Sequence, residues 1–102
     1  MGNAIKGTSR ADRPRVRVAG TVQVVRHDRI GGMPALEAEL REGADRIDLV
    51  WLGRANIRGI EPGSTLMAEG RLAVRRGRTT MFNPRYELGP VALDARDLRI
   101  AS

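Results

Sequence analysis

Apolar and polar residues alternate along most of this chain, a pattern that is typical of β-strands. The first run extends from Arg15 to Val25, with Val16, Val18 and Val22 on one face. Four further strands are predicted at 35–41, 46–52, 64–74 and 79–83. Turn-forming residues separate the strands in a loop at 26–34, a turn at 42–45, a Glu-Pro-Gly turn at 61–63 and a basic turn at 75–78.

Five strands in this order predict an all-β fold, a five-stranded Greek-key barrel, because closing the sheet removes its exposed edges. Gly20 and Gly70 lie inside the first and fourth strands, where a glycine favours a bend that lets one strand serve two faces. Residues 53–60 are too few for a stable helix but suit a single turn or a capping segment, and we expect a short helical turn there, between strands three and four. Pro84 has no N–H group and is expected to end the fifth strand.

The two ends of the chain depart from this pattern. Residues 1–14 are polar and basic without any period, which predicts a flexible N-terminal arm that either adds phosphate contacts or is inert. Residues 15–102 are expected to form one domain, with the barrel at about 15–88 and a covering segment at 89–102. The apolar pattern at 91–100 is compatible with a strand or a short helix.

Composition narrows the class of protein. The 102 residues suit one domain with a modest core, which must be built from aliphatic side chains because aromatic residues make up only 3%. The chain contains no cysteine, so disulfides and thiolate chemistry are excluded. No apolar run approaches the roughly 20 residues of a membrane span, and we expect a soluble, cytoplasmic protein.

Positive charge is abundant and unevenly distributed. The formal net charge is +6, and 17 of the 18 basic residues are arginine, whose planar fork suits phosphate. A GC-rich genome would also favour arginine codons, so the positions matter more than the number. Residues 1–30 carry a balance of +5, residues 31–70 of −3 and residues 71–102 of +4. The two basic ends could therefore form one face of the fold.

Two arginine clusters lie in predicted turns about fifty residues apart. Arg26 and Arg29 belong to the first loop, and Arg75, Arg76 and Arg78 to the turn before the fifth strand. In a small barrel the two turns can rim one cleft, and such a cleft suits a nucleic acid. The alternative is that both are solvated hairpin tips. Arg17 and Arg71, outward on their strands, would extend the patch.

Only three aromatic residues are present. Trp51 shares its parity with Ile47 and Leu49, which favours a place in the core. Phe82 has the opposite parity to its neighbour Met81, so one of the two is expected to face outward. Tyr86, beside Arg85, is the better candidate for an exposed ring on which a base stacks, although it could also pack its ring and hydrogen-bond its hydroxyl.

The carboxylates show no pattern that indicates catalysis. Alternation places those of the second hairpin on a solvated outer surface opposite Arg41 and Arg46; they are Glu37, Glu39, Glu42, Asp45 and Asp48. His27 is the single histidine and cannot be combined with a serine or a carboxylate into a nucleophilic site. We therefore expect no enzymatic activity, no metal and no cofactor.

Several short strings carry a resemblance to a known family. They are 18–22 (VAGTV), 46–54 (RIDLVWLGR), 60–63 (IEPG), 67–71 (MAEGR) and 81–84 (MFNP). In order and spacing, the roughly seventy residues that contain them resemble OB-fold nucleic-acid-binding domains of the tRNA-anticodon-binding type. They are also similar to the wedge domain of RecG-type helicases and to small stand-alone actinobacterial OB-fold proteins. The resemblance implies an OB-type barrel and a binding class, but no helicase activity, since a motor domain is absent.

The leading hypothesis is a non-catalytic OB-fold protein that binds single-stranded or branched DNA through the basic loops beside the barrel groove. A protein-interaction or oligomerisation domain is the alternative, and RNA binding is a weaker one. Membranes and small-molecule substrates are not expected partners. The candidate nucleic-acid-binding residues are Arg17, Arg26, Arg29, Arg54, Arg71, Arg75, Arg76, Arg78, Phe82, Arg85 and Tyr86.

Overall fold

The structure, a computed structural model, describes residues 14–89 and is all-β, as predicted. Its strands are β1 (Arg15–Ile30), β2 (Met33–Glu42), β3 (Asp45–Leu52), β4 (Thr65–Arg75), β5 (Arg78–Phe82) and β6 (Arg85–Leu88). Across this part of the chain there is no helix, and so none that is long and apolar enough to cross a membrane. The predicted arm at 1–14 and covering segment at 89–102 lie outside the described residues, apart from Pro14 and Gly89.

Five of the strands pair in a closed ring. β1 is antiparallel to β2, β2 to β3, β5 to β4 and β4 to β1, while β3 and β5 pair in parallel. The parallel ladder is short and joins Asp48, Leu49 and Val50 to residues 80–82. Each of these five strands therefore pairs with two neighbours, which agrees with the predicted barrel-like architecture.

β1 serves two neighbours, as the glycine inside it suggests. Residues 15–21 pair with β4, and residues 21–30 pair with β2 in a ladder that is interrupted by a bulge between Val22 and Val24. Gly20 lies near this change of partner, where a Cβ atom would overlap the carbonyl oxygen of Arg41. The absence of a side chain therefore allows β1 and β2 to approach closely.

The core fills the interior of the ring with aliphatic side chains. Its fully buried members include Val22, Leu36, Leu40, Leu49, Leu66 and Met81. Trp51 belongs to the same cluster, which confirms the prediction from its parity. Its Nε1 donates a hydrogen bond of 3.1 Å to the carbonyl of Pro84, and its ring meets that of Tyr86 edge-on at 5.5 Å.

The helical turn predicted between strands three and four is wrong for the described structure. The segment 53–64 instead forms successive turns, which bury Ile57 and Ile60 against the core. Gly53, Gly59 and Gly63 all have positive φ angles (79°, 88° and 95°), a conformation outside the right-handed helix. The apolar residues of this segment therefore cover one end of the ring without a helix.

The first basic loop is also much shorter than predicted. β1 continues to Ile30 and β2 begins at Met33, because Gly31 and Gly32 form a two-residue turn with φ angles of 59° and 82°. Arg26 and Arg29, expected in a loop over 26–34, accordingly lie on β1. Residues 26–30 thus extend the β1–β2 ladder. Because their side chains are mostly polar, the sequence pattern did not indicate a strand there.

A sixth strand was not predicted. Pro84 follows the end of β5, as expected, but the chain re-enters the sheet at once as β6, which pairs with residues 66–69 of β4. Asn83 makes the change of direction with a φ of 52°, and its Oδ1 accepts a hydrogen bond of 2.9 Å from the N–H of Leu52. Asparagine tolerates this backbone conformation better than most side chains.

Candidate nucleic-acid interface

Arginines from the two predicted clusters line one cleft. Arg26 of β1 and the β4–β5 hairpin meet across the outer face of β2 and β3, around a volume of about 270 Å³. We call this the β2–β3 cleft; its lining residues are Arg26, Glu37, Asp48, Arg75, Arg76 and Arg78. The structure thus brings together positions that lie about fifty residues apart in the chain.

The β4–β5 hairpin places its arginines through a tight turn. Arg75 and Arg78 are the last paired residues of β4 and β5, and Arg76 and Gly77 form the turn between them. Both turn residues have positive φ angles, 56° for Arg76 and 75° for Gly77. Such turns favour asparagine or glycine at the first position, so an arginine there is strained. Its side chain is 71% exposed.

The floor of the β2–β3 cleft is acidic, and here the prediction of a solvated surface is wrong. Glu37, Glu39 and Asp48 do point away from the aliphatic core, as alternation predicts, but they are buried at 6–7% exposure. Arginine side chains from β1, β2, β3 and the β4–β5 hairpin lie against these carboxylates. Glu42 is half-buried and Asp45 exposed at the turn after β2.

Arg75 joins the two halves of the cleft. Its Nη1 donates to Glu37 at 3.0 Å, and its Nη2 donates to Asp28 at 3.3 Å. Only 17% of the Arg75 side chain is exposed. Arg76 approaches Asp28 at 3.9 Å from the solvent side. Arg75 therefore connects the β4–β5 hairpin to β1 and β2, and little of its guanidinium group is accessible to a ligand.

A second group of ion pairs surrounds Glu39. Arg26, Arg41 and Arg46 approach its carboxylate at 3.6–3.7 Å. Arg41 and Arg46 were expected to face the carboxylates across the hairpin, but in the register they are opposite each other, and in the described ion pairs both approach Glu39 alone among the five carboxylates. On the neighbouring strand, Arg78 approaches Asp48 at 3.6 Å.

The cleft has a surplus of positive charge. Its ion pairs among the described residues involve six arginines and four carboxylates, which leaves two positive charges in excess. Arg26, Arg41 and Arg78 keep 43–47% of their side chains exposed. An approaching anion therefore meets guanidinium groups first and carboxylates beneath them.

Two carboxyl groups near the cleft have shifted pKa values. The pKa of Asp28 is lowered below 3.8, chiefly because its carboxylate accepts a hydrogen bond of 2.7 Å from the backbone N–H of Arg29. The positive charges of Arg75 and Arg76 act in the same direction. The pKa of Glu42 is raised, first by its burial and then by the neighbouring charge of Asp45.

The Asp28→Asn substitution should alter the acid limb of the stability curve. A folded-state pKa below that of the unfolded chain stabilises the fold above pH 3.8, and this contribution disappears as the pH falls through the folded value. We therefore expect the variant to be less stable at pH 7 and the difference from wild type to shrink below pH 3.8. Urea unfolding at a series of pH values measures it. A difference that stays constant across the series would contradict the assignment.

Other candidate residues lie on a different surface. Arg71, Phe82 and Arg85 line a second cleft of about 270 Å³, the β4–β5 cleft, together with Arg15, Asn83 and residues 69–70 and 72–73 of β4. A third depression beside it contains Arg17, Arg85 and Tyr86. Arg15 and Arg17 approach Glu69 at 4.0 and 3.9 Å, so this surface also mixes the two signs of charge.

Two candidates line none of these clefts. Arg29 donates to the carbonyl of Gly32 in the β1–β2 turn. Arg54 is exposed in the segment after β3, close to Asn56, whose Oδ1 lies 3.2 Å from Nε2 of His27.

Sequence reasoning did not include Arg15, Arg41, Arg46 or Asn83 among the site residues. For the three arginines, the outward parity of their strand positions was the sequence signal that could have identified them as site residues. Within residues 14–89, no group of three or more histidine or acidic residues could hold a metal ion.

Comparisons with known proteins give a fold and no family. No protein-family model matches the chain, and no curated protein sequence matches it. Among solved structures, it is similar to the OB domain of Ta0387 from Thermoplasma acidophilum, determined by solution NMR, with a TM-score of 0.57. The two are 17% identical, and the match covers 85% of each chain. The ring of five strands in this protein therefore has the OB fold.

Proposed function

We propose that this protein binds single-stranded nucleic acid, most readily DNA, without catalysing a reaction on it. The supporting observation is the convergence of Arg26 with Arg75, Arg76 and Arg78 on one cleft. The cleft lies on the face of strands two and three and beside the turn between strands four and five, the region where OB folds hold oligonucleotides. The OB fold, which is common among oligonucleotide-binding domains, agrees with this function.

The exposed arginines supply the phosphate contacts in this proposal. Arg76, Arg78 and Arg26 present their guanidinium groups at the rim, where a phosphate can bind without entering the acidic floor. Arg75 acts as a positioning residue, because its two carboxylate partners fix the hairpin that carries Arg76. The strained backbone of Arg76 supports a role at this tip, since glycine or asparagine would fit the turn better.

The charge pattern favours a single strand over a duplex. Carboxylates on the floor repel phosphates, so the sugar–phosphate chain must follow the arginine rim with its bases turned toward the floor. A single strand can present its bases in this way, whereas a duplex exposes phosphates on its whole outer surface. Phe82, the register partner of Val50, lines the separate β4–β5 cleft and is not part of this proposal.

Fluorescence anisotropy with labelled single-stranded, duplex and forked DNA and with RNA tests this function. We expect the tightest binding to single-stranded DNA and a steep loss of affinity with salt, at about 0.7 in the logarithmic slope per neutralised phosphate. The double variant Arg76→Gly, Arg78→Gln should reduce this slope by about 1.4, because two phosphate contacts are lost. The glycine also relieves the strained turn, so the fold should persist.

The matched control is Arg58→Gln. Arg58 is exposed and lines none of the three clefts. Its variant should retain the wild-type slope to within the error of the measurement. If both variants shift the slope equally, the charge acts non-specifically and the β2–β3 cleft is not the site. If no oligonucleotide binds at low salt, the proposed function is wrong.

One observation favours a second candidate function, self-association through β6. All four residues of this strand are exposed, including Tyr86 and Leu88, and among the described strands only β4 pairs with it. An uncovered edge of this kind can pair with the same strand of a second copy. Light scattering after size exclusion decides between them. A dimer that persists in high salt and after nuclease treatment would support this candidate over nucleic-acid binding.

A further inference from the structure

We infer that Asp48 reads the base of a nucleotide in the β2–β3 cleft, through a buried carboxylate oxygen that accepts a hydrogen bond from an exocyclic amino group. The inference rests on the proposed function and adds a specificity to it. A strand rich in cytosine should bind more tightly than one rich in thymine. Asp48 would then be a specificity-determining residue, distinct from the arginines that hold phosphate.

The carboxylate of Asp48 is incompletely satisfied. Its side chain is only 10% exposed, and its Oδ2 lies 3.6 Å from Nη1 of Arg78. Its Oδ1 is buried and has no hydrogen-bond partner among the described residues. Buried polar atoms are nearly always paired, so an unpaired carboxylate oxygen on the floor of a cleft is a place where a donor from outside the protein, a water molecule or a ligand group, can bind.

The neighbouring groups cannot supply that donor. Thr80, the register partner of Asp48 on β5, is fully buried, and its hydroxyl donates to the carbonyl of Arg78 at 2.9 Å. Glu39, directly opposite on β2, is a second buried carboxylate. Like charges in opposite positions destabilise a sheet. The arginines around Glu39 do not relieve Asp48, because Arg26, Arg41 and Arg46 approach Glu39 instead.

Arg78 links phosphate binding to access to Asp48. Its guanidinium approaches the carboxylate from the exposed rim, with 43% of the side chain in contact with solvent. A phosphate at the rim would attract this guanidinium outward and uncover the carboxylate beneath it. The base of the same strand, turned toward the floor, could then replace the lost partner. One nucleotide would thereby satisfy both Arg78 and Asp48.

The chemistry of the bases sets the preference. A carboxylate only accepts hydrogen bonds, and the N4 amino group of cytosine donates them. Thymine carries a carbonyl oxygen, O4, at the corresponding position, and two acceptors repel each other. Cytosine and thymine have rings of the same size, so the van der Waals contacts of the ring with the cleft should differ little between them. The amino group therefore determines the difference.

A comparison of two homopolymers tests the inference. Wild-type protein should bind dodecamers of deoxycytidine about tenfold more tightly than those of thymidine, as expected for a hydrogen bond to a charged group. In Asp48→Asn the ratio should fall to within about twofold, because the amide both donates and accepts. Glu39→Gln is the matched control: it removes the same charge from the position directly opposite Asp48, outside the lining of the cleft, and should strengthen binding to both strands while keeping the tenfold ratio.

A modified ligand gives a readout that needs no variant. A dodecamer of N4,N4-dimethylcytosine lacks the donor and should bind wild-type protein about as weakly as the thymidine strand. Equal ratios in Asp48→Asn and Glu39→Gln, or undiminished binding of the dimethylated strand, would overturn the role of Asp48 while leaving nucleic-acid binding intact. Failure of every oligonucleotide to bind would overturn the proposed function itself, and this inference with it.

Discussion

Replacement of Gly20 by alanine should lower the free energy of unfolding by about 3 kcal/mol, at the upper end of the cost of overpacking. A Cβ atom at this position would overlap the backbone carbonyl of Arg41 and approach the side chain of Leu40. Backbone atoms in a paired strand cannot move aside as the end of a flexible side chain can. The substitution therefore separates β1 from β2 just before the bulge.

Gly70→Ala is the matched control for this experiment. Gly70 occupies the corresponding interior position of β4, but its added Cβ would meet Met81 and Pro84 at 3.5–3.6 Å, an ordinary contact distance. We expect its effect to stay within about 1 kcal/mol, the scale of a glycine-to-alanine exchange that causes no strain. Urea denaturation followed by Trp51 fluorescence measures both. If the two variants were equally unstable, the close approach at Gly20 would not explain its presence.

Arg75→Met should cost about 3 kcal/mol, because it leaves the buried carboxylate of Glu37 without its cationic partner. Methionine preserves much of the aliphatic volume, so the loss reports on charge rather than on packing. Arg76→Met is the adjacent control and should cost less than about 1 kcal/mol, since that side chain is largely solvated. Both free energies are obtained from urea unfolding.

A second substitution, at the partner residue, distinguishes the effect of the unpaired charge from the effect of the changed side-chain shape. Adding Glu37→Gln to Arg75→Met removes the unpaired charge and should recover much of the lost stability. A cycle of the two single variants and the double variant gives the coupling energy of the pair. Additive effects would mean that Glu37 and Arg75 are independent in the folded protein, contrary to the 3.0 Å contact between them.

The arrangement of strands could be predicted because it follows from local patterns. Alternation revealed the five ring strands, and Gly20 indicated that β1 changes its partner near that position. The parity of Trp51 was enough to place it in the core. The convergence of Arg26 with Arg75 was also predicted, although from two neighbouring turns, whereas the structure places both residues on strands.

The remaining features depend on geometry that a sequence pattern does not record. The turn at Gly31 and Gly32 lies inside the loop predicted at 26–34, but the polar side chains of 26–30 hid the fact that the strand continues up to it. β6 is four residues long and has no alternating burial, so no periodicity marked it. The carboxylates of the cleft had the right parity for an outer face, yet burial there depends on arginines from distant segments that lie over them.

The acidic floor has a consequence for how firmly a polyanion can be held. If the cleft binds a polyanion as proposed, each guanidinium that turns to a phosphate must leave Glu39, Asp28 or Asp48, so that binding exchanges one anionic partner for another. These carboxylates belong to the protein itself, and they compete with a phosphate for the guanidinium groups at a fixed effective concentration. They keep the arginines ordered before the ligand arrives and recapture them when it dissociates. A surface built in this way favours rapid turnover of its ligand over long residence.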